Sequence, residues 1–387
     1  MPEPRRRHSA GLHNVVKESE PQMADSPSFP HAPAAENAQR IEESPRRPVV
    51  DFGILAFGYA FGQDLDVSEA AGSFVTDPER VIRWGYSTFH RAAPEVTATA
   101  LAADAARKAL AELNMDASEL DLVVLATSEM PDYLYWDTSA ALARELGIEK
   151  TQTLLLNEGC ASGVTGLGMI AGQLAIQPEL RTVLFVAVNR VSEFHRNRMN
   201  VNNAVHSDGA VAAVLRRGHD QLRWLATAQF TDPDLCDFFR CDFGGAVTPQ
   251  PPADWSTATA PSGLERVLNH FQKDPNRLRE FQEKLSGRMT EVIEQACRQA
   301  GVGSEQLAHV IYINDSADTI EEVAAPFGVT VEHTNAEISA AHGHMGAADQ
   351  LISLGEHLQR GDVKPGDLVA LSGISIGMRW YCTLVQV

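Results

Sequence analysis

"LLLNEGCASGVTGLG", residues 154–168, puts a cysteine where two patterns meet. Leu154, Leu155 and Leu156 end an apolar run of the kind that forms a buried strand, and Asn157-Glu158-Gly159 closes it. Cys160 follows at once. Behind it come Ala161, Gly163, Gly166, Gly168, Ala171 and Gly172, spaced along a stretch that reads as a helix. Each glycine weakens a helix by about 1 kcal/mol relative to alanine. Such a helix is therefore stable only if its small residues allow close packing at the centre of the molecule. At its mouth, unpaired N–H groups and the positive end of the dipole favour thiolate over thiol. A buried structural cysteine fits the same position, so position alone leaves both roles open.

Outward from this point, strand and helix patterns alternate. Residues 97–114, 277–300 and 346–360 have helical periodicity. Residues 121–127, 153–157, 182–188, 209–217, 309–314, 368–375 and 381–387 read as buried strands. This alternation predicts a layered α/β fold. "ALAELNMDASELDLVVLATS" and "ACRQAGVGSEQLAHVIYINDS" share one plan, a helix end, Ser-Glu, a leucine and a buried strand. The echo predicts two duplicated halves, 49–220 and 221–387, with strand ends from both meeting at one site. The first 48 residues hold eight of the 20 prolines and little apolar periodicity, and read as a disordered tail without the apolar centre of a signal peptide.

The chain has 387 residues, 44% of them hydrophobic, and a formal charge of −19. That charge disfavours nonspecific binding to nucleic acid or anionic membranes. No apolar run is expected to reach the roughly 18 residues of a membrane span. The five cysteines (Cys160, Cys236, Cys241, Cys297 and Cys382) are odd in number and form no C-x-x-C pair, which points to a reducing cytoplasm rather than a disulfide framework. His342 and His344 form an H-x-H pair without further spaced ligands, so no metal site is expected.

"NEGCASGVTGLGMI", "PDYLYWDTSA", "HSDGAVAAVL" and "HGHMGAADQLISLGEHLQRGDVKPGDLVALSGISIGMRW" together resemble, in order and spacing, the ketoacyl-synthase III branch of the thiolase superfamily, over roughly residues 50–387. The resemblance implies a thiolase fold, five-layered αβαβα, made of two duplicated halves and usually homodimeric. It implies that Cys160 accepts an acyl group from acyl-ACP or acyl-CoA, with no permanently bound cofactor. It also implies an oxyanion hole built from the backbone N–H groups of Cys160 and Ile376, and it gives Tyr135 a place in the partner's acyl pocket. The arginine that relatives direct at coenzyme A corresponds to Asn200, with Arg198 close by, which mildly favours a carrier-protein donor.

The chain departs from the family at its acid/base positions. Asp315 stands where the family has its histidine, His344 where it has its asparagine, and Asp318 where the first motif has its trailing asparagine. His206 replaces an apolar pocket residue. An ionised Asp315 cannot donate a hydrogen bond to an enolate and would repel it. The expectation is therefore that His344 acts as base, oriented by Asp315, and transfers the acyl group to a hydroxyl or amine in specialised-metabolite biosynthesis. His206, Tyr135 and Asp318 are expected in the substrate pocket. Carbon–carbon bond formation by a 3-oxoacyl-ACP synthase III is the alternative, and a non-catalytic partner subunit the second alternative.

Overall fold

The computed structural model describes residues 50–201, 204–258 and 260–387. The expected tail, 1–48, lies outside the described residues. The strands are β1 (Phe52–Phe61), β2 (Gln63–Asp66), β3 (Thr88–Arg91), β4 (Leu122–Thr127), β5 (Gln152–Leu156), β6 (Thr182–Asn189), β7 (Gly209–Arg217), β8 (Arg223–Thr231), β9 (Leu307–Ile311), β10 (Leu368–Ser375) and β11 (Arg379–Gln386). The helices are α1 (Val67–Ala70), α2 (Pro78–Ile82), α3 (Ala98–Glu112), α4 (Thr138–Glu145), α5 (Ser162–Ile176), α6 (Gly263–His270), α7 (Pro275–Ala300), α8 (Ala317–Ala324), α9 (Ala336–His342) and α10 (Asp349–Arg360).

Nine strands follow one another in the order β5-β4-β6-β7-β1-β8-β11-β10-β9. Between β1 and β8 only Gly53 and Arg223 pair, so the sheet divides there into two halves. The halves mirror each other. β4 lies parallel to β6, as β9 does to β10. The β6–β7 and β10–β11 pairs are antiparallel, and so are β7–β1 and β11–β8. Where β5 flanks β4, a single parallel bridge from Val310 to Thr334 flanks β9.

Strand alternation builds the layers. Val123 and Leu125 of β4 join Leu101, Ala102 and Ala106 of α3 on the outer face. Leu122 and Val124 turn inward to the cluster that holds Val164 and Leu167 of α5 and Leu351 of α10. Helix α5 also packs on β8 and β11, and α7 covers the far face of those strands. The result is a five-layered αβαβα thiolase fold of two duplicated halves, with α5 and α10 in the middle.

The small residues of α5 are explained by this position. A Cβ at Gly163 would lie 1.7 Å from the Ala347 carbonyl oxygen, and one at Gly168 would lie 2.7 Å from Thr227. Contrary to the sequence expectation, Gly159–Ile176 is long and apolar enough to cross a membrane, with mean hydropathy 1.3, but 61% of it is buried inside the protein. It is the core helix between the two half-sheets. A fully buried helix is apolar all round, which is why length and composition alone do not separate the two environments.

His309 of β9 is 2% exposed, and neither ring nitrogen has a hydrogen-bond partner among the described residues. Burial first, then His357 and His333, depress its pKa to about 4. The unfolded chain therefore binds this proton at higher pH than the folded one. Stability is retained above the ordinary histidine range and falls as pH drops from about 6.5 toward 4, by at most about 3 kcal/mol. Urea unfolding of wild type and His309→Phe should show the variant gaining relative stability at pH about 4.5 over pH 7. A pH-independent difference would rule this out.

Candidate active site

Cys160 lies between β5 and α5, at the floor of a cleft of about 680 Å³. The preceding Gly159 has φ +60°, and a Cβ there would meet Ser375 at 2.7 Å, so the turn into the cysteine needs glycine. The second half of the molecule fixes this turn. Ser375 donates to the Glu158 carbonyl at 2.7 Å and accepts from the Ala161 amide at 3.2 Å. Tyr381 donates to the Cys160 carbonyl at 3.2 Å and itself accepts from Gln350 at 2.9 Å.

His344 comes from the turn ahead of α10. Its amide donates to Val205 at 2.8 Å, and its carbonyl accepts from Ser207 at 2.9 Å. Gly343, at φ +69°, makes this possible, since a Cβ there would lie 2.7 Å from the Val205 carbonyl oxygen. The ring thus reaches Cys160, with Nε2 3.3 Å from Sγ.

The carboxylate on the other side of the ring belongs to Asp349, the first residue of α10. Its Oδ2 lies 2.5 Å from His344 Nδ1 and accepts from the Asn314 amide at 2.8 Å, while Oδ1 accepts from the Met345 amide at 2.6 Å. Asp349 is fully buried. Burial pulls the His344 pKa down, but Asp349 and then Cys160 outweigh it and hold the imidazole well above its usual value.

Asp349 therefore occupies the place assigned to Asp315 in the sequence. Asp315 lines the same cleft, but it stands just ahead of α8 and its Oδ1 accepts from the Ser316 amide at 2.6 Å. Among the described residues it makes no hydrogen bond to His344. Burial raises its pKa against the Ser316 bond and the His344 charge. The sequence signal for Asp349 was an acid in the first helical turn, five residues after a histidine that precedes the helix. There the acid side chain caps back toward the turn.

His206 joins the cleft, its ring centroid 5.0 Å from that of His344. Burial and the charge of His344 drive its pKa well below the ordinary value, so it is neutral. Ile376 lines the cleft beside Gly159, where a Cβ on the glycine would lie 2.9 Å from its side chain. One expected pocket residue lies elsewhere. Asp318 is exposed in the first turn of α8, because the helix rotates it away from the strand end. Tyr135 is fully exposed, with Tyr133 and Leu134, on a loop outside the cleft of its own chain. Arg198 is committed to structure, gripping Asp208 at 3.0 and 2.8 Å and Glu193 at 2.6 Å. Missed in the sequence were Glu129 and Arg196, which also line the cleft.

Residues 297–387 match the family model described as 3-Oxoacyl-[acyl-carrier-protein (ACP)] synthase III C terminal. Beta-ketoacyl-[acyl-carrier-protein] synthase III of Acaryochloris marina is 26% identical over 304 residues, 79% of this chain and 87% of that protein. The protein of the same name from Aquifex aeolicus is 25% identical over 296 residues, 76% of this chain and 86% of that one. Among solved structures, ChlB3, titled an acyltransferase, superposes with TM-score 0.75 at 23% identity, covering 87% of this chain and 98% of that one. A single-residue variant of OleA from Xanthomonas campestris gives 0.66 at 18% identity, covering 87% and 99%.

Proposed function

Because the chain belongs to the ketoacyl-ACP synthase III-like branch of the thiolase superfamily, we propose that it is a thioester-dependent acyltransferase working through an acyl-Cys160 intermediate. The acyl group comes from acyl carrier protein or coenzyme A and passes to a hydroxyl or amine of a specialised metabolite. The observation that carries this reading is the line Cys160–His344–Asp349, with contacts of 3.3 and 2.5 Å.

In the first half-reaction, Sγ attacks the thioester carbonyl with its proton held on His344 Nε2. The oxyanion is held by the backbone N–H groups of Cys160 and Ile376. The carbon–sulfur bond to the donor breaks, and the leaving thiolate takes the proton from His344. In the second, His344 removes a proton from the acceptor O–H or N–H as that atom attacks the acyl carbonyl. The Cys160 carbon–sulfur bond then breaks. Asp349 holds the imidazole tautomer and stabilises its cation. Asp315, its pKa raised by burial, lines the same cleft. The protein acts as a cytoplasmic homodimer in which Tyr135 reaches the partner's cleft. Support comes from the exposed Tyr133-Leu134-Tyr135 loop and from the edge strand β5, whose Leu155 is exposed.

A second reading, carbon–carbon condensation, draws on His206 and His344 both facing the cleft, where two imidazoles are able to hold an enolate. Carboxyl-labelled malonyl thioester separates the two. Acyl transfer keeps the label in the ester or amide product, whereas condensation releases it as carbon dioxide. Stoichiometric release of label would overturn the acyltransferase reading.

A further inference from the structure

We infer that Arg196 is the receptor for a second carboxylate on the acyl group, so that the thioester loaded onto Cys160 carries a short dicarboxylic chain. This rests on the acyl-cysteine reading and adds a substrate class to it.

Arg196 lines the Cys160 cleft and also a neighbouring cleft of about 560 Å³, and Val201 and Phe239 are likewise shared by the two. It therefore stands where the two clefts meet. Its guanidinium is poorly satisfied. Nε lies 3.1 Å from Glu129 Oε1, with side-chain exposures of 16% and 7%, yet Nε has no aligned hydrogen bond among the described residues. One terminal nitrogen makes a weak 4.0 Å approach to Cys241 Sγ. Burial raises the Glu129 pKa in spite of Arg196, and Glu129 in turn raises that of Arg196, so the pair is held by charge while the guanidinium's Nε stays without an aligned hydrogen bond among the described residues.

Arg198, two residues on, shows how this loop treats an arginine that serves structure. It is 1% exposed, bound by both oxygens of Asp208, by Glu193 and by the His206 carbonyl. Leaving N–H donors of a buried guanidinium unpaired costs free energy. The planar fork matches a carboxylate bidentately. The missing partner of Arg196 thus has the chemistry of a carboxylate that arrives with substrate. The phosphate of a pantetheine arm is a poor candidate, because the whole arm separates it from the thioester, while Arg196 shares the wall of the cleft that holds Sγ. An acyl chain anchored on Sγ occupies that cleft in both half-reactions. Pairing with Arg196 also stabilises the carboxylate against loss of carbon dioxide, since decarboxylation moves its charge away from the guanidinium. Transfer of the chain intact follows.

The test uses the full chain and intact-protein mass spectrometry of the Cys160 adduct. Succinyl and butyryl groups, equal in length, are offered as thioesters of coenzyme A and of an acyl carrier protein. Wild type should load succinyl at least about tenfold faster. In Arg196→Gln the succinyl-to-butyryl ratio should invert, and Arg196→Lys should keep part of the preference. Thermal melts of both variants report folding, and the ratio within each variant is independent of the amount folded. Equal or faster butyryl loading by wild type, or a succinyl preference surviving in Arg196→Gln, overturns the role of Arg196 while leaving the acyl-cysteine reading intact. Absence of any adduct from all four thioesters overturns both.

Discussion

Cys160→Ala yields no covalent acyl-enzyme, and turnover falls by about 10⁴-fold or more. The expectation rests on the sulfur being the group that faces His344 Nε2 at 3.3 Å. Folding should be little affected, because the ties to Tyr381 and Ser375 run through backbone atoms of residues 158–161 rather than through the thiol. Intact mass after incubation with acyl thioester, together with a melting curve, decides the matter. An adduct that persists at the active site of the alanine variant would sink the proposed chemistry.

Asp349→Asn should lower kcat by about 10²- to 10⁴-fold with the protein still folded. The amide keeps an acceptor for the Asn314 or Met345 amide but removes the charge that raises the His344 pKa. The His344 titration, followed by NMR of the ring, should therefore move down, a change that a purely structural role would not predict. Asp315→Asn serves as the comparison. It removes a carboxyl of the cleft wall that makes no hydrogen bond to His344 among the described residues, so its effect should be smaller, about tenfold. The reverse ranking would return the orienting role to Asp315.

The strands β4, β6 and β7 were legible because both their faces are buried, which leaves continuous apolar runs. Strand β7 begins and ends where the sequence pattern does. Strands β1 and β8 were not legible. Their alternating burial, with aromatic and polar residues interspersed, gives a weaker signal than an apolar run. The glycines of α5 gave away its central position, though not that Gly163 abuts Ala347, since that contact joins the two halves. At the site, Cys160 and His344 could be paired once the family resemblance had placed them at nucleophile and acid/base positions. Asp349 could not be told from Asp315, because both lie beside a helix start and only the direction of the side chain distinguishes them. The Glu129–Arg196 pair joins residues far apart in sequence, and no local spacing announces it.

The sulfur and the imidazole arrive from opposite sides of a seam. The first half of the chain supplies Cys160, the second supplies His344 and Asp349, and Tyr381 and Ser375 stitch across the join. Neither half carries the whole Cys160–His344–Asp349 line. Any shift across the seam changes the 3.3 Å separation of Sγ and Nε2, so in the proposed chemistry nucleophile and base depend on the packing between the halves. On the proposed mechanism the site is a property of the junction, and substitutions along α5 and α10 that shift one half against the other would disturb residues they never touch.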